Sequence, residues 1–111
     1  MRLYGLKNCD SCKKAMKALE AKGVDFSFVD MRGGSVDAAR IEKWLSKTGA
    51  ELLVNRRSTS WRNLTEGQKQ QAEKEPAKLL ADNPTLIKRP VIETGKDVLV
   101  GWGQETQNRL I

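Results

Sequence analysis

The only two cysteines of the chain, Cys9 and Cys12, lie in the stretch Asn8-Cys9-Asp10-Ser11-Cys12. An apolar run, Arg2-Leu3-Tyr4-Gly5-Leu6, precedes it and reads as a strand; Lys13 to Leu19 follows it and reads as a helix. A Cys-x-x-Cys pair at a strand-to-helix junction suits thiol redox chemistry. The unpaired N–H groups of a helix start favour negative charge, so a cysteine there ionises more readily, and the thiolate is the reactive form. Cys9 is the expected nucleophile. Cys12, one turn on, lies within bridging distance of it and can resolve a mixed disulfide. The competing reading of either residue is a small buried hydrophobe. For Cys9 the neighbours Lys7, Lys13 and Lys14 favour function, while Asp10 limits the expected fall in pKa. For Cys12 both readings stand, because it shares the apolar stripe of its helix. If it is buried, an external thiol such as glutathione must finish the cycle.

Composition narrows the choices further. The chain has 111 residues, one domain by length, with 39% hydrophobic and 31% charged residues. It has no histidine, which removes Cys-His catalysis and imidazole metal sites. Cys9 and Cys12 alone fall short of the usual four zinc ligands, so no metal is expected. The net charge of +6 suits an anionic small substrate or an acidic protein partner, but no basic-aromatic motif supports nucleic-acid binding. No apolar run approaches the roughly 20 residues of a membrane span, and residues 1–20 lack a secretory apolar core. The expectation is a protein of the reducing cytoplasm with no membrane association.

Around the cysteines the pattern predicts a βαβ unit. Cys12, Ala15, Met16 and Leu19 form one helical stripe, Gly23 stops the helix, and Val24 to Val29 alternates as a second strand. Arg32-Gly33-Gly34 breaks the pattern, and Ser35 can cap a new helix with Ala38, Ile41, Trp44 and Leu45 inward and Gly49 at its end. Leu52-Leu53-Val54 precedes a basic loop, Asn55 to Arg62. Thr65-Glu66-Gly67-Gln68 has capping-box spacing. Pro76 opens a helix with Leu79, Leu80 and Ala81 inward, closed by Pro84. Val91-Ile92-Glu93 and Val98-Leu99-Val100 flank a hairpin turn at Thr94-Gly95-Lys96-Asp97, and Gln104 to Leu110 reads as a last helix. The fold class is therefore α/β: βαβ and ββα units in one mixed thioredoxin-like sheet (residues 1–34 and 84–111), with an all-helical insertion (35–83).

With these residues assembled, the chain resembles the arsenate reductase-like (ArsC) family, which includes the Spx regulators, and most closely its YffB-like branch. The resemblance is carried by Tyr4-Gly5-Leu6-Lys7-Asn8-Cys9-Asp10, Asn55-Arg56-Arg57-Ser58-Thr59-Ser60-Trp61-Arg62-Asn63-Leu64, Ile87-Lys88-Arg89-Pro90 and Leu99-Val100-Gly101. It implies a thioredoxin fold with a helical insertion, a nucleophile at Cys9, and a structural cis-proline at Pro90 facing it. It also implies anion-binding arginines at Arg89 and at Arg57, or at Arg56 one residue earlier. Asn8 beside the nucleophile is a further binding candidate, with ordinary turn chemistry as its alternative. Arsenate reductases carry a third arginine where this chain has Gly101. Losing one charged hydrogen-bonding arm costs roughly 1.5–3 kcal/mol, which argues against arsenate reduction.

The expected function is a glutathione-dependent thiol oxidoreductase, with Cys9 attacking and Arg57 and Arg89 holding an anionic thiol or oxyanion. Glutathione is the expected co-substrate, and no bound cofactor is needed. The alternative is an Spx-like regulator that docks on the transcription machinery through a Cys9–Cys12 switch.

Overall fold

The computed structural model describes residues 1–32 and 36–111; Gly33, Gly34 and the expected cap Ser35 lie outside the described residues. The chain divides into two compact units, Met1–Ser35 with Arg89–Ile111, and Val36–Lys88.

The first unit is built on a four-stranded mixed sheet. Strand β1 (Arg2–Gly5) leads to helix α1 (Asp10–Ala21) and strand β2 (Ser27–Asp30), then, after the second unit, to β3 (Val91–Glu93) and β4 (Val98–Val100). The strand order is β2-β1-β3-β4, with β1 parallel to β2 and antiparallel to β3, and β3 antiparallel to β4. This joins a βαβ unit to a ββα unit and makes the thioredoxin-like layer that the sequence predicted. The last helix of this unit, Gln104–Leu110, completes it.

The α1 stripe forms as its spacing requires. Cys12, Ala15 and Leu19 are fully buried and Met16 is half-buried, while Lys13, Lys14, Lys17 and Glu20 face water. Leu19 joins Leu3, Ala15, Ile92 and Leu99 in one cluster, so side chains from β1, α1, β3 and β4 share a core. Full burial of such a leucine is worth about 1.5–3 kcal/mol. Gly23 ends the helix at φ 71°, the left-handed conformation glycine adopts without steric cost. The second strand is shorter than its alternation suggests. Ser27 pairs with Arg2 and donates its N–H to the Met1 carbonyl, so Val24 to Phe26 have run past the end of β1. Val24 and Phe26 still pack on the core cluster, which is why they read as strand-like. The hairpin turn is tied by Thr94, whose N–H donates to the Asp97 carbonyl and whose hydroxyl accepts from the Asp97 N–H, both at 2.9 Å.

The second unit is helical. It comprises α2 (Ala38–Thr48), α3 (Ala50–Leu53), α4 (Thr59–Arg62), α5 (Glu66–Lys74) and α6 (Pro76–Asp82), then a 3₁₀ turn at Pro84–Leu86. Asp37 caps α2 by accepting from the Arg40 N–H at 2.9 Å, and Ile41 and Trp44 are fully buried. α2 and α5 both pack on α6. In α6 Leu79 and Leu80 are buried as expected, but Ala77 takes the inner place expected for Ala81, which is half-buried. The basic loop from Asn55 to Arg62 contains a helical turn, because Ser58 accepts from the Trp61 N–H and caps α4. Residues 84–88, expected with the sheet, group with the helices: Ile87 bridges Val54, and the Lys88 N–H donates to the Leu53 carbonyl at 2.8 Å.

The capping box of α5 is complete. The Thr65 hydroxyl accepts from the Gln68 N–H, and the Gln68 side chain accepts from the Thr65 N–H at 3.0 Å. Thr65→Ala is expected to cost about 1 kcal/mol, read as faster amide exchange in the first turn of α5.

Candidate active site

Cys9 is the residue immediately before α1, in extended conformation, with its carbonyl already accepting from the Lys13 N–H at 3.0 Å. Its own N–H donates to the Leu6 carbonyl at 3.1 Å, which closes the turn leaving β1. The side chain is half-buried and the thiol is free. It makes no capping hydrogen bond in the ordinary geometric sense. As the thiolate, however, it gains from three nearby donors.

Partial burial pushes the Cys9 thiol up, and this is the largest single influence on it. It is outweighed by the combined pull of the Cys12 backbone N–H, a hydrogen bond from the Arg89 guanidinium, the Cys12 thiol, and the positive charge of Arg89. The net result is a thiol below its ordinary value of 9.0. Arg89 reaches this place from two residues before β3, and the Arg89–Pro90 peptide bond is cis. The Pro90 carbonyl accepts from the Gly101 N–H at 2.8 Å, which ties this turn to the end of β4.

Cys12 has the opposite environment. It is fully buried, and desolvation pushes its thiol up to about 12. The Leu6 backbone amide and the Arg89 charge work against that rise, whereas the hydrogen bond to Cys9 and the Cys9 charge add to it. The two sulfurs are therefore neighbours with opposed acidities. Cys9 is the sulfur that ionises more readily, and Cys12 is the one that keeps its proton and donates it as a hydrogen bond.

Sequence reasoning passed over Gly5. An added Cβ at Gly5 would run into the Cys12 Sγ and stand 3.3 Å from the Cys12 Cβ and 3.7 Å from the Leu3 Cδ2. The signal was available: Gly5 lies two residues after Leu3 on the same face of β1, the face covered by α1.

The other candidates each have surroundings of their own. Asn8 is exposed in the turn, with no side-chain hydrogen bond among the described residues. Arg57 belongs to the helical unit, is exposed, and lines an open concavity of about 420 Å³ with Glu51, Leu52, Val54, Asn55, Arg56 and Lys88. Its N–H donates to the Asn55 side chain at 3.2 Å. Arg56 lies over the Trp61 ring at 5.5 Å, a cation–π contact that distinguishes it from Arg57. Gly101, near which the family resemblance puts the third arginine of arsenate reductases, is buried with φ 81°, a conformation an arginine would adopt only with strain. Among the described residues no cluster of three or more histidine, cysteine or acidic side chains could hold a metal ion, and no helix is long and apolar enough to cross a membrane.

A thioredoxin-like sheet with a low-pKa cysteine at the start of its first helix and a buried thiol one turn later defines a class: thiol proteins of the thioredoxin fold. Within it, this chain belongs to the ArsC family, whose profile matches residues 4–110. It is 40% identical over 104 residues to an uncharacterised protein of Haemophilus influenzae, covering 93% of this chain and 91% of that one. It is 27% identical to the global transcriptional regulator Spx 2 of Bacillus anthracis, covering 93% and 80% respectively. Among solved structures it is similar to the YffB protein, at 34% identity and a TM-score of 0.90 over 98% of this chain and 96% of the other. An arsenate reductase-related protein from Brucella melitensis shares 33% identity, with a TM-score of 0.77 over 97% and 91%.

Two expectations follow from the paired thiols. Alkylation of Cys9 by iodoacetamide, followed against pH by intact mass, should show an inflection below 9.0; Arg89→Ala should move it upward and Arg89→Lys should restore part of the shift. The raised Cys12 value stabilises the fold below pH 9.0, and that contribution is lost as pH rises from 9.0 toward about 12. Over that range urea unfolding of the wild type should weaken more steeply than that of Cys12→Ala.

Proposed function

We propose that the protein is a cytoplasmic thiol–disulfide oxidoreductase that works with glutathione. The observation that carries this reading is the Cys9 sulfur, favoured as a thiolate by the Cys12 N–H and the Arg89 guanidinium, with a protonated second thiol against it. The Cys9 thiolate attacks one sulfur of a glutathione disulfide, forming a mixed disulfide and expelling glutathione thiolate. The Cys12 sulfur then attacks Cys9, its proton passing to the departing glutathione. The two cysteines are oxidised to one disulfide, and the glutathione disulfide is reduced to two thiols. A dithiol reductant then returns the protein to its starting state and is itself oxidised to a disulfide, so the net reaction reduces one glutathione disulfide at the expense of that dithiol.

Arg89 holds the anionic part of the substrate at Cys9, since a guanidinium offers a fork of donors matched to carboxylates. Arg57 is the second anion-binding arginine in this reading, supported by its place in the family motif and by its position with Arg56 and Lys88 around one concavity. Arg56 is less available for that task because it lies over Trp61. Asn8 assists at the turn. Reduction of arsenate is not part of the reading, because Gly101 occupies the position of the third arginine. A second reading, a redox-switched regulator, is favoured by the Spx relatives and by the pairing of Cys9 with Cys12. In that case the same disulfide would alter docking on a protein partner.

Incubation with oxidised glutathione and acid-quenched mass measurement tests both. A catalyst should form a transient Cys9 adduct that accumulates in Cys12→Ser and is absent in Cys9→Ser. Arg89→Ala should slow adduct formation by about one to two decades, the worth of one charged hydrogen bond. Arg57→Ala should raise the glutathione concentration needed for half-maximal turnover about tenfold. No turnover together with oxidation-dependent capture of a component of the transcription machinery would point to the regulator instead.

A further inference from the structure

The backbone at Gly5 does not explain why a glycine stands there. Among the described residues the positive-φ glycines are Gly23, Gly49 and Gly101, and Gly5 is not one of them. It sits at the end of β1, paired with Asp30 across to β2, and its carbonyl accepts from the Met31 N–H at 2.9 Å. Any residue could adopt that conformation, and a glycine in a strand weakens it. What excludes a side chain is the position of one atom. The Cys12 Sγ occupies the place where a Cβ would stand. The neighbouring Leu6 amide helps to hold the same sulfur, and the Cys9 sulfur is its hydrogen-bond partner.

We propose that Gly5 is a positioning residue for thiol resolution: the gap left by its missing side chain seats the Cys12 sulfur against β1, where it can reach Cys9. This rests on the two-thiol cycle above and specifies what that cycle requires of the sheet. A Cβ at position 5 would force the Cys12 side chain out of its seat, since the clash is with a sulfur on a short, buried side chain rather than with the far end of a flexible one. The step affected is the second: the Cys12 sulfur bonds to the Cys9 sulfur, the bond from Cys9 to the glutathione sulfur breaks, and the Cys12 proton leaves on the released glutathione. The first attack, by Cys9 on glutathione disulfide, does not require the Cys12 sulfur as a reactant. It does lose a hydrogen bond to the thiolate, so it should slow by less.

The test follows the mass of the intact protein after mixing with oxidised glutathione. In Gly5→Ala the Cys9 adduct should persist at least tenfold longer than in the wild type, while the rate of its formation falls by a smaller factor. A Gly5→Ala protein whose adduct clears at the wild-type rate overturns the proposal and leaves the two-thiol cycle standing. An adduct that persists in the wild type itself removes the cycle, and the proposal with it. Should Gly5→Ala fail to fold, the double variant Gly5→Ala/Cys12→Ala decides. If the gap exists for the sulfur, the double variant should melt within a few degrees of Cys12→Ala. If it is equally unable to fold, position 5 serves general packing and the assignment fails.

Discussion

A thiolate at a helix start has to be stabilised by groups already in place before substrate arrives, and the rest of the sheet unit can be understood from that requirement. The Cys9 sulfur is half out of water, which by itself disfavours its charge. The Cys12 N–H comes from the first turn of α1, and the Arg89 guanidinium from two residues before β3. These are distant in sequence and belong to different halves of the mixed sheet. The antiparallel pairing of β1 with β3 brings the two halves together, and Leu3 and Ile92, opposite each other in that pairing, are both fully buried in the common core. The hydrophobic cluster thus keeps the electrostatic arrangement in register.

The same helix start produces two thiols of opposite character, and burial is the reason. Cys9, as cap residue, stands outside the α1 stripe and remains partly solvated. Cys12 falls on the stripe with Ala15 and Leu19 and is fully buried. Desolvation therefore outweighs every other influence on Cys12, while hydrogen bonds and charge prevail at Cys9. An inner sulfur that keeps its proton beside an outer one that ionises more readily is an arrangement suited to attack from outside followed by resolution from within. The two roles weighed for Cys12, packed thiol and redox partner, are compatible: it is buried, and it touches Cys9.

The helical unit is organised by local devices. Asp37, Ser58 and Thr65 each cap a helix by accepting a main-chain N–H three residues on, and Pro76 opens another helix at its first turn. Between α3 and α4 the chain presents Asn55, Arg56 and Arg57 beside Lys88, so that three cations and one carboxylate, Glu51, border a single concavity. The cation–π contact of Arg56 with Trp61 separates two adjacent arginines that the resemblance leaves one residue apart. The residues after α6 stay with the helices because the Val54–Ile87 bridge and the Lys88 to Leu53 hydrogen bond hold them there.

Much of this was legible in the chain because it depends on neighbours in sequence. The Cys-x-x-Cys junction, the α1 stripe, the Gly23 stop, the Thr65 capping box and the Thr94–Asp97 hairpin are all written within a few residues, and each formed. The ends of elements were less legible. Where β2 begins depends on where β1 stops pairing, and the helical turn at Thr59–Arg62 depends on a single hydroxyl, that of Ser58. What the sequence by itself determined was the order of the elements and the two sulfurs at a helix start. Only the tertiary structure decided that Cys12 is desolvated, that Arg89 reaches Cys9, and that Gly5 leaves room for a sulfur. Those outcomes depend on distances between residues far apart in the chain, or on opposite sides of a sheet–helix contact, and sequence spacing does not measure such distances.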